Sequence, residues 1–168
     1  MADMKEFYEF ITPFLKGKKL LDTGCGSGRD IEFYLQRGFK VVGVDAAAEF
    51  IKICKTKYPK LKFYNSKIQN LNIPEKSFDI ISIVAVWMHL KRVEYYSAVN
   101  SIRKHLKKRG VLILSYSTNK RDGFEYINYR FLKGLFISSG FYLKAQKITN
   151  DSMNRNIKWI TQIYVKIT

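Results

Sequence analysis

Hydrophobic and polar positions alternate along this chain in blocks that predict strands and helices in turn. Short apolar runs predict buried strands at residues 20–22, 40–44, 61–64, 79–84, 111–115, 141–148 and 157–166. Between them, apolar residues recur at helical spacing, and one such face is formed by Ala47, Phe50, Ile51 and Cys54. Strands that alternate with helices in this way predict an α/β fold, a parallel sheet with helices on both faces.

The first predicted helix covers residues 3–16. Its apolar face is formed by Phe7, Phe10, Ile11 and Phe14. Pro13 lies inside that pattern, where a proline interrupts helical hydrogen bonding. Two interpretations stay open. The helix either covers one edge of the core or acts as a lid whose aromatic side chains, such as those of Phe7 and Tyr8, close over a ligand.

The most informative segment runs from Leu20 to Arg29 and reads Leu-Leu-Asp-Thr-Gly-Cys-Gly-Ser-Gly-Arg. Glycines at alternate positions after a buried strand predict a sharp turn into a helix, because glycine accepts positive φ and lets a ligand approach the backbone. Unpaired N–H groups at the start of that helix suit a polar or anionic ligand. Arg29 stands where the dinucleotide fingerprint requires its third glycine. Asp22 would repel a pyrophosphate, whereas it suits the ammonium group of an amino acid.

A second acid, Asp45, ends the second predicted strand, 23 residues after Asp22. An acid at about this offset contacts ribose hydroxyls in nucleotide-binding sheets, since a carboxylate accepts from two vicinal hydroxyls at once. Ligands of parallel sheets lie outside the carboxyl ends of the strands. The glycine turn, Asp45, the loop at Lys67 and the segment at His89 each follow one of the first four strands. These four parts of the chain are therefore predicted to converge on one ligand.

These residues resemble the class I S-adenosylmethionine-dependent methyltransferases. The segment 20–28 resembles motif I of that family, and Asp45 resembles its motif II acid. Ser77-Phe-Asp-Ile-Ile and Val86-Trp-Met-His-Leu resemble the family's entry into its fourth strand and the segment after it. The resemblance implies a Rossmann-like, doubly wound sheet of seven strands with an antiparallel last strand. It also implies S-adenosylmethionine as cofactor and S-adenosylhomocysteine as product. Within the family, the turn and the post-strand segment most resemble small bacterial stand-alone enzymes of the tellurite-resistance type.

The resemblance also implies a set of cofactor contacts: Asp22, Thr23, Gly24, Cys25, Gly26, Arg29, Asp45, Ala46, Lys67, Ile68 and Val84. Asp22 is expected to hold the methionine ammonium directly or through water, beside backbone N–H groups near the carboxylate. The chain departs from the family at Lys67, where an acid often contacts the adenine amine. Here the backbone groups of Lys67 and Ile68 are expected to flank the adenine instead.

Three residues are candidates for contact with the methyl acceptor: Tyr8, Trp87 and His89. The family's histidine at the position of His89 often lies near the sulfonium. A neutral imidazole can accept a proton near pH 7. His89 could therefore take up the proton that the methyl acceptor loses during transfer. For each of the three residues, packing alone is the alternative interpretation.

Composition bounds the remaining possibilities. Thirty Lys and Arg against fourteen Asp and Glu give a net charge of +16 over 168 residues, enough to attract nucleic acid. The chain is also rich in Ile, Asn, Phe and Tyr, the residues of AT-rich codons, so biased composition is the alternative explanation. Residues 1–168 are predicted to form one domain. Neither a signal peptide, a membrane span, a metal-ligand cluster nor a disulfide framework is indicated, and a cytoplasmic protein is expected.

Three functions stay open at this stage. The first is methyl transfer to a small-molecule acceptor. The second is methylation of RNA or protein, which would be favoured if Lys104, Lys107 and Arg109 lay beside the ligand site. The third is a domain that binds the cofactor without catalysis. The presence of Lys67, where the family often has an acid, supports this alternative. His105 is interpreted as a surface residue of a basic helix.

Overall fold

The computed structural model describes residues 3–74, 77–119, 123–151, 153 and 157–168. The strands of its sheet are β1 (Lys19–Thr23), β2 (Lys40–Asp45), β3 (Lys62–Asn65), β4 (Phe78–Val84), β5 (Leu106–Ser117), β6 (Phe141–Asn150) and β7 (Lys158–Lys166). The helices are α1 (Lys5–Ile11), α2 (Ile31–Leu35), α3 (Ala48–Lys57), α4 (Tyr95–His105) and α5 (Tyr129–Ser138). Single helical turns occur at Thr12–Phe14, Ile68–Asn70, Trp87–His89 and Arg92–Glu94.

The seven strands form one sheet in the order β3-β2-β1-β4-β5-β7-β6. Strands β1 to β5 are parallel, and β7 lies antiparallel between β5 and β6. The predicted seven-stranded, Rossmann-like sheet with an antiparallel last strand is thus confirmed. Because β2 lies on one side of β1 and β4 on the other, the chain changes direction at β1, and a crevice opens at the carboxyl ends of these strands.

Helices cover both faces of the sheet because both faces of its strands are apolar. Successive residues of a strand point to opposite faces. Leu20 and Ile80 therefore pack on one side, with side chains of α1, α2 and α3. Leu21 and Ile81 pack on the other side, with side chains of α4 and α5. All four side chains are fully buried, as the continuous apolar runs of parallel strands predict.

The first helix is shorter than its apolar pattern predicts. α1 ends at Ile11, and Pro13 lies in the single 3-10 turn that follows. This agrees with the physical effect of a proline, whose missing N–H and bulky ring stop a helix from continuing. Ile11 is fully buried, and the rings of Phe7 and Tyr8 are half-buried against the same face of the core.

The prediction of a surface position for His105 is wrong. His105 is only 6% exposed, and its Nδ1 lies 2.8 Å from the carbonyl oxygen of Ser101. The residue occupies the last turn of α4, and β5 begins at the next residue, Leu106. Since the chain passes from the helix into the sheet without a loop, the end of α4 is held against the core.

Candidate active site

A cleft of about 860 Å³ opens at the carboxyl ends of β1 to β4, and we call it the glycine cleft. Of the eleven residues that the sequence predicts to contact the cofactor, ten line it: Thr23, Gly24, Cys25, Gly26, Arg29, Asp45, Ala46, Lys67, Ile68 and Val84. The predicted convergence of four strand ends is therefore present in the folded chain. The eleventh residue, Asp22, lies buried in β1, beneath the turn.

The glycine turn wraps around the end of β2. The N–H groups of Gly24 and Cys25 donate to the carbonyl oxygen of Val44, at 2.7 and 3.0 Å. Gly24 and Gly26 have φ of +75° and +52°, in the left-handed region that favours glycine. A side chain at Gly26 would project into open space, with no atom within 4 Å of its Cβ. The turn thus exposes backbone to the cleft, where a ligand can approach closely.

Asp45 is fixed at the floor of the glycine cleft by the backbone around it. Its carboxylate accepts hydrogen bonds from the N–H groups of Gly26 and Ala47, each at 2.9 Å. The side-chain amide of Asn65 donates to the carbonyl oxygens of Asp45 and Ala46. A carboxylate offers about four acceptor sites, so these two bonds leave capacity for two further donors. A pair of vicinal hydroxyls matches that capacity.

Asp22 is a buried carboxyl group with an unused acceptor. It is 2% exposed, and among the described residues its Oδ2 has no hydrogen-bond partner. Burial raises the pKa of Asp22 well above its ordinary value of 3.8, and the nearby carboxylates of Asp30 and Asp45 raise it further, against the opposing effect of Arg29. A buried carboxylate without a cation is unfavourable. A ligand that brings an ammonium group to this position would therefore be bound strongly.

Arg29 is held by a network that reaches the N-terminal helix. Its Nε and Nη2 donate to both carboxylate oxygens of Asp30, at 2.8 and 2.7 Å. The hydroxyl of Tyr8 donates to Asp30 Oδ1 at 2.6 Å, and the Tyr8 ring stacks on Phe33 with centroids 3.9 Å apart. Tyr8 lines a separate cavity of about 620 Å³ alongside α1. Tyr8, a predicted substrate contact, therefore contacts Asp30 in this structure and is not among the residues that line the glycine cleft.

A second cavity, of about 450 Å³, adjoins the glycine cleft, and we call it the side cavity. The two spaces share four lining residues: Arg29, Val84, Ala85 and His89. Its other walls come from α1, from the segment around Phe124 and from the ends of β6 and β7. A ligand in the side cavity would therefore face a ligand in the glycine cleft across the end of β4.

The two candidate residues after β4 have different environments. His89 is exposed at the wall between the two spaces, with its ring 4.9 Å from that of Phe124. Trp87 is fully buried, and its ring packs against Tyr95 at 5.2 Å and Phe136 at 5.5 Å. The structure corrects the interpretation of Trp87 as a substrate contact. A single helical turn connects the two residues and directs their side chains apart.

The rim of the glycine cleft contains residues that sequence reasoning missed. Phe50, predicted as part of a buried helix face, is 42% exposed and lines the cleft. Near Lys67, the side-chain amide of Gln69 donates to Glu94 at 2.7 Å, and the same carboxylate accepts from the N–H of Lys91 at 2.8 Å. Glu94 thus supplies an acid close to the loop whose expected acid is replaced by Lys67. It comes from a distant segment, so no motif spacing could have found it.

The basic cluster predicted as a possible nucleic-acid contact lies away from the cleft. Lys107 pairs with Asp79 at 2.6 Å, at the start of β4. Lys104 lines a small cavity with Arg103 and Lys166, near the end of the antiparallel strand β7. These positions mark the amino ends of the parallel strands. The glycine cleft lies at the opposite, carboxyl ends of these strands.

Within residues 3–74, 77–119, 123–151, 153 and 157–168, no helix is long and apolar enough to cross a membrane. Over the same ranges, no three His, Cys, Asp or Glu side chains are grouped so that they could hold a metal ion. Cys25 and Cys54 are both buried, free thiols.

Sequence comparison identifies relatives of this chain. A family model described as a methyltransferase domain matches residues 21–114. The ubiquinone/menaquinone biosynthesis C-methyltransferase UbiE of Campylobacter jejuni is 28% identical over 117 residues, which are 65% of this chain and 49% of that protein. The ubiquinone biosynthesis O-methyltransferase of Pelagibacter ubique is 34% identical over 104 residues, 60% of this chain and 42% of that protein. The matched part of this chain thus spans about half the length of these relatives or less.

Structure comparison agrees on the fold. The 1,6-didemethyltoxoflavin-N1-methyltransferase of Burkholderia thailandensis, solved with 1,6-didemethyltoxoflavin and S-adenosylhomocysteine, superposes with a TM-score of 0.81 at 17% identity. The match covers 98% of this chain and 78% of that one. The family model covers more than half of the chain, and every residue that the motifs assign to the cofactor lies inside the matched segment. The chain therefore belongs to the methyltransferase domain family, the class I enzymes that use S-adenosylmethionine.

Proposed function

We propose that this chain transfers a methyl group from S-adenosylmethionine to a small-molecule acceptor. The observation that carries the proposal is the pair of adjoining spaces, the glycine cleft of about 860 Å³ and the side cavity of about 450 Å³. Both volumes fall in the range of about 300–1,000 Å³ that small-molecule sites occupy. The names of the two relatives from Campylobacter jejuni and Pelagibacter ubique, which place them in ubiquinone biosynthesis, support an acceptor of this size.

The residues of the glycine cleft fit the cofactor group by group. Asp45 would accept from the ribose hydroxyls, because two of its acceptor sites remain after its bonds to Gly26 and Ala47. Asp22 would hold the methionine ammonium, which satisfies its unpaired Oδ2. The guanidinium of Arg29, which lines the cleft beside the turn, would bind the methionine carboxylate. At the Lys67 end, backbone groups and the Gln69–Glu94 pair offer polar contacts to adenine.

Methyl transfer depends mainly on how the acceptor is positioned relative to the methyl group. S-adenosylmethionine supplies a methyl group already activated by a positively charged sulfur. The chain holds the acceptor in line with that group and keeps water away, and positioning of this kind can lower a barrier by about 7–11 kcal/mol. His89, at the wall between the two spaces, is our candidate for accepting the proton that the acceptor loses.

Calorimetric titration with S-adenosylmethionine, repeated with S-adenosylhomocysteine, tests the cofactor assignment. We expect dissociation constants near micromolar, which correspond to a binding free energy of about −8 kcal/mol. Transfer of a radiolabelled methyl group is then compared between a small-molecule panel and bulk RNA. Absence of binding by the folded chain would overturn the proposal. Transfer to RNA alone would favour the macromolecular alternative, and binding without transfer to any acceptor class would favour a non-catalytic domain.

The role of His89 has its own test. We expect His89→Ala to lower kcat at least tenfold while the dissociation constant of S-adenosylmethionine changes less than threefold, because removal of a general base slows the chemical step by about 10²–10⁴-fold. Unchanged turnover would reduce His89 to a packing residue of the wall.

A further inference from the structure

The side cavity is walled by aromatic rings from four separate parts of the chain. Phe7 comes from α1, His89 from the turn after β4, Phe124 from the segment before α5, and Trp159 from the start of β7. The rings of Phe7, Phe124 and Trp159 are half-buried, so each keeps apolar surface open to the cavity.

The indole of Trp159 is fixed in place. Its Nε1 donates to Asp151 Oδ1 at 3.1 Å, and Asp151 is 6% exposed. The same carboxylate accepts from the N–H of Met153 at 3.1 Å, and the backbone N–H of Asp151 donates to Ile157. An indole whose polar edge is tied to a buried acid presents its faces in one orientation. Asp151 is therefore a positioning residue for Trp159.

The opposite wall is fixed as well. The N–H of Glu125 donates to the carbonyl oxygen of Met88 at 2.9 Å, which ties the Phe124 segment to the turn that bears His89. The rings of Phe124 and His89 are 4.9 Å apart at an angle of 49°. A ligand held among these rings thus meets His89 at the edge of the cavity that opens to the glycine cleft.

The carboxylates around the side cavity are engaged with groups of the chain. Glu6 pairs with Lys147 at 2.7 Å, Asp3 accepts from the N–H of Lys5 at 2.9 Å, and Asp151 is bound by Trp159. Recognition by charge is thus a weaker explanation of this cavity than recognition by shape. Rings prefer offset-stacked or edge-to-face partners, and such pairs contribute more than the buried area alone.

We infer that the side cavity selects a planar aromatic acceptor, stacked on the indole of Trp159. The inference rests on the proposed function and names its substrate class. A flat ring on Trp159 directs a ring substituent at its edge toward His89 and the shared wall, where the methyl donor would lie. A saturated ring of equal carbon number is puckered and has no π-face, so it cannot stack in the same slot.

The test compares two probes of one carbon skeleton, 1-naphthol and decahydro-1-naphthol, by calorimetry on the full chain with and without saturating S-adenosylhomocysteine. We expect the aromatic probe to bind at least tenfold more tightly. Trp159→Leu should remove at least tenfold of that affinity, while Trp159→Phe, which keeps a ring face but loses the bond to Asp151, should lose less than Trp159→Leu does. The dissociation constant of S-adenosylhomocysteine should change less than twofold in both variants. Tyr126→Leu, an exposed aromatic residue outside the cavity lining, is the matched control and should leave both probes unaffected.

Equal affinity of the native chain for the two probes would overturn the inference. This comparison does not use the variants, so the inference stays testable even if Trp159→Leu fails to fold. Unchanged 1-naphthol affinity in a folded Trp159→Leu variant would overturn it as well. The outcomes separate from those of the proposed function. Failure to bind S-adenosylhomocysteine would contradict the proposed methyltransferase function. Preference of the cofactor-free chain for the aromatic probe would still support an aromatic binding site.

Discussion

The glycine cleft and the side cavity share one wall but are built in different ways. The cleft is lined by residues at consecutive strand ends, chiefly 23–27, 29–30 and 45–47. The side cavity is assembled from α1, the Phe124 segment and the ends of β6 and β7, which meet only in the folded chain. A site for a common cofactor can therefore be local in sequence, whereas a site for a particular acceptor depends on tertiary packing.

The two spaces also differ in what they offer a ligand. The cleft presents the backbone of the glycine turn and the carboxylate of Asp45, which has spare acceptor sites. Asp22 lies buried beneath that turn, and its Oδ2 has no partner among the described residues. The side cavity presents ring faces, and its carboxylates are already engaged. The cleft therefore suits one molecule with fixed polar groups, and the side cavity suits a family of flat shapes. Substitutions in one space should leave the affinity of the other largely unchanged.

The largest effect is expected from substitution of Trp87. Its effect on stability distinguishes a role in core packing from a role in acceptor binding. Trp87→Ala should lower the free energy of unfolding by about 3–5 kcal/mol, because it removes a fully buried ring from between Tyr95 and Phe136. Urea denaturation of the variant and of Trp87→Phe measures the loss, which the smaller ring should reduce. A stability change below about 1 kcal/mol combined with weaker binding of aromatic probes would return Trp87 to the acceptor site.

Asp45 tests the cleft alone. Asp45→Ala should weaken binding of S-adenosylmethionine at least tenfold, about 1.4 kcal/mol or more, since it removes the acceptor for the ribose and for the N–H groups of Gly26 and Ala47. Calorimetry measures the change, and binding of 1-naphthol serves as the control because it should stay within twofold. Unchanged cofactor affinity would place the ribose contact elsewhere. A parallel loss for both ligands would show that the two spaces are not independent.

The sequence predicted the cleft well because its residues are fixed by the strands that carry them. Once β1 and β2 are parallel neighbours, Gly26 and Asp45 must meet at their carboxyl ends. The sequence could not decide between Trp87 and His89, because a single helical turn directs one ring into the core and the other to the wall. It also gave no sign of Trp159, which joins the site because β7 returns antiparallel and starts beside Ser117, at the end of β5.

Asp22 predicts a pH dependence confined to the cleft. Its raised pKa means that the free chain keeps the carboxyl protonated at pH values where an exposed aspartate has ionised. A bound ammonium favours the ionised form, so binding releases a proton and affinity rises with pH. We therefore expect affinity for S-adenosylmethionine to rise with pH at acidic pH, below the range in which an α-amino group titrates.

Calorimetry in buffers of different ionisation enthalpy counts the released protons. Asp22→Asn is the control, since an amide has no proton to release, and the rise with pH should vanish in this variant. Affinity that stays flat or falls with pH in the native chain would contradict the assignment of Asp22 to the ammonium group. Binding of 1-naphthol should show no such rise.

The smallest effect is expected at Tyr8, the residue best placed to couple the two spaces. Its hydroxyl binds Asp30, which holds Arg29 in the shared wall, and its neighbour Phe7 lines the side cavity. Loss of one such hydrogen bond costs about 0.5–1.5 kcal/mol. Tyr8→Phe, which keeps the stacking on Phe33, should therefore weaken S-adenosylhomocysteine and 1-naphthol about threefold each. A change in only one ligand would assign α1 to that space alone, and equal loss in both would make the helix a common wall.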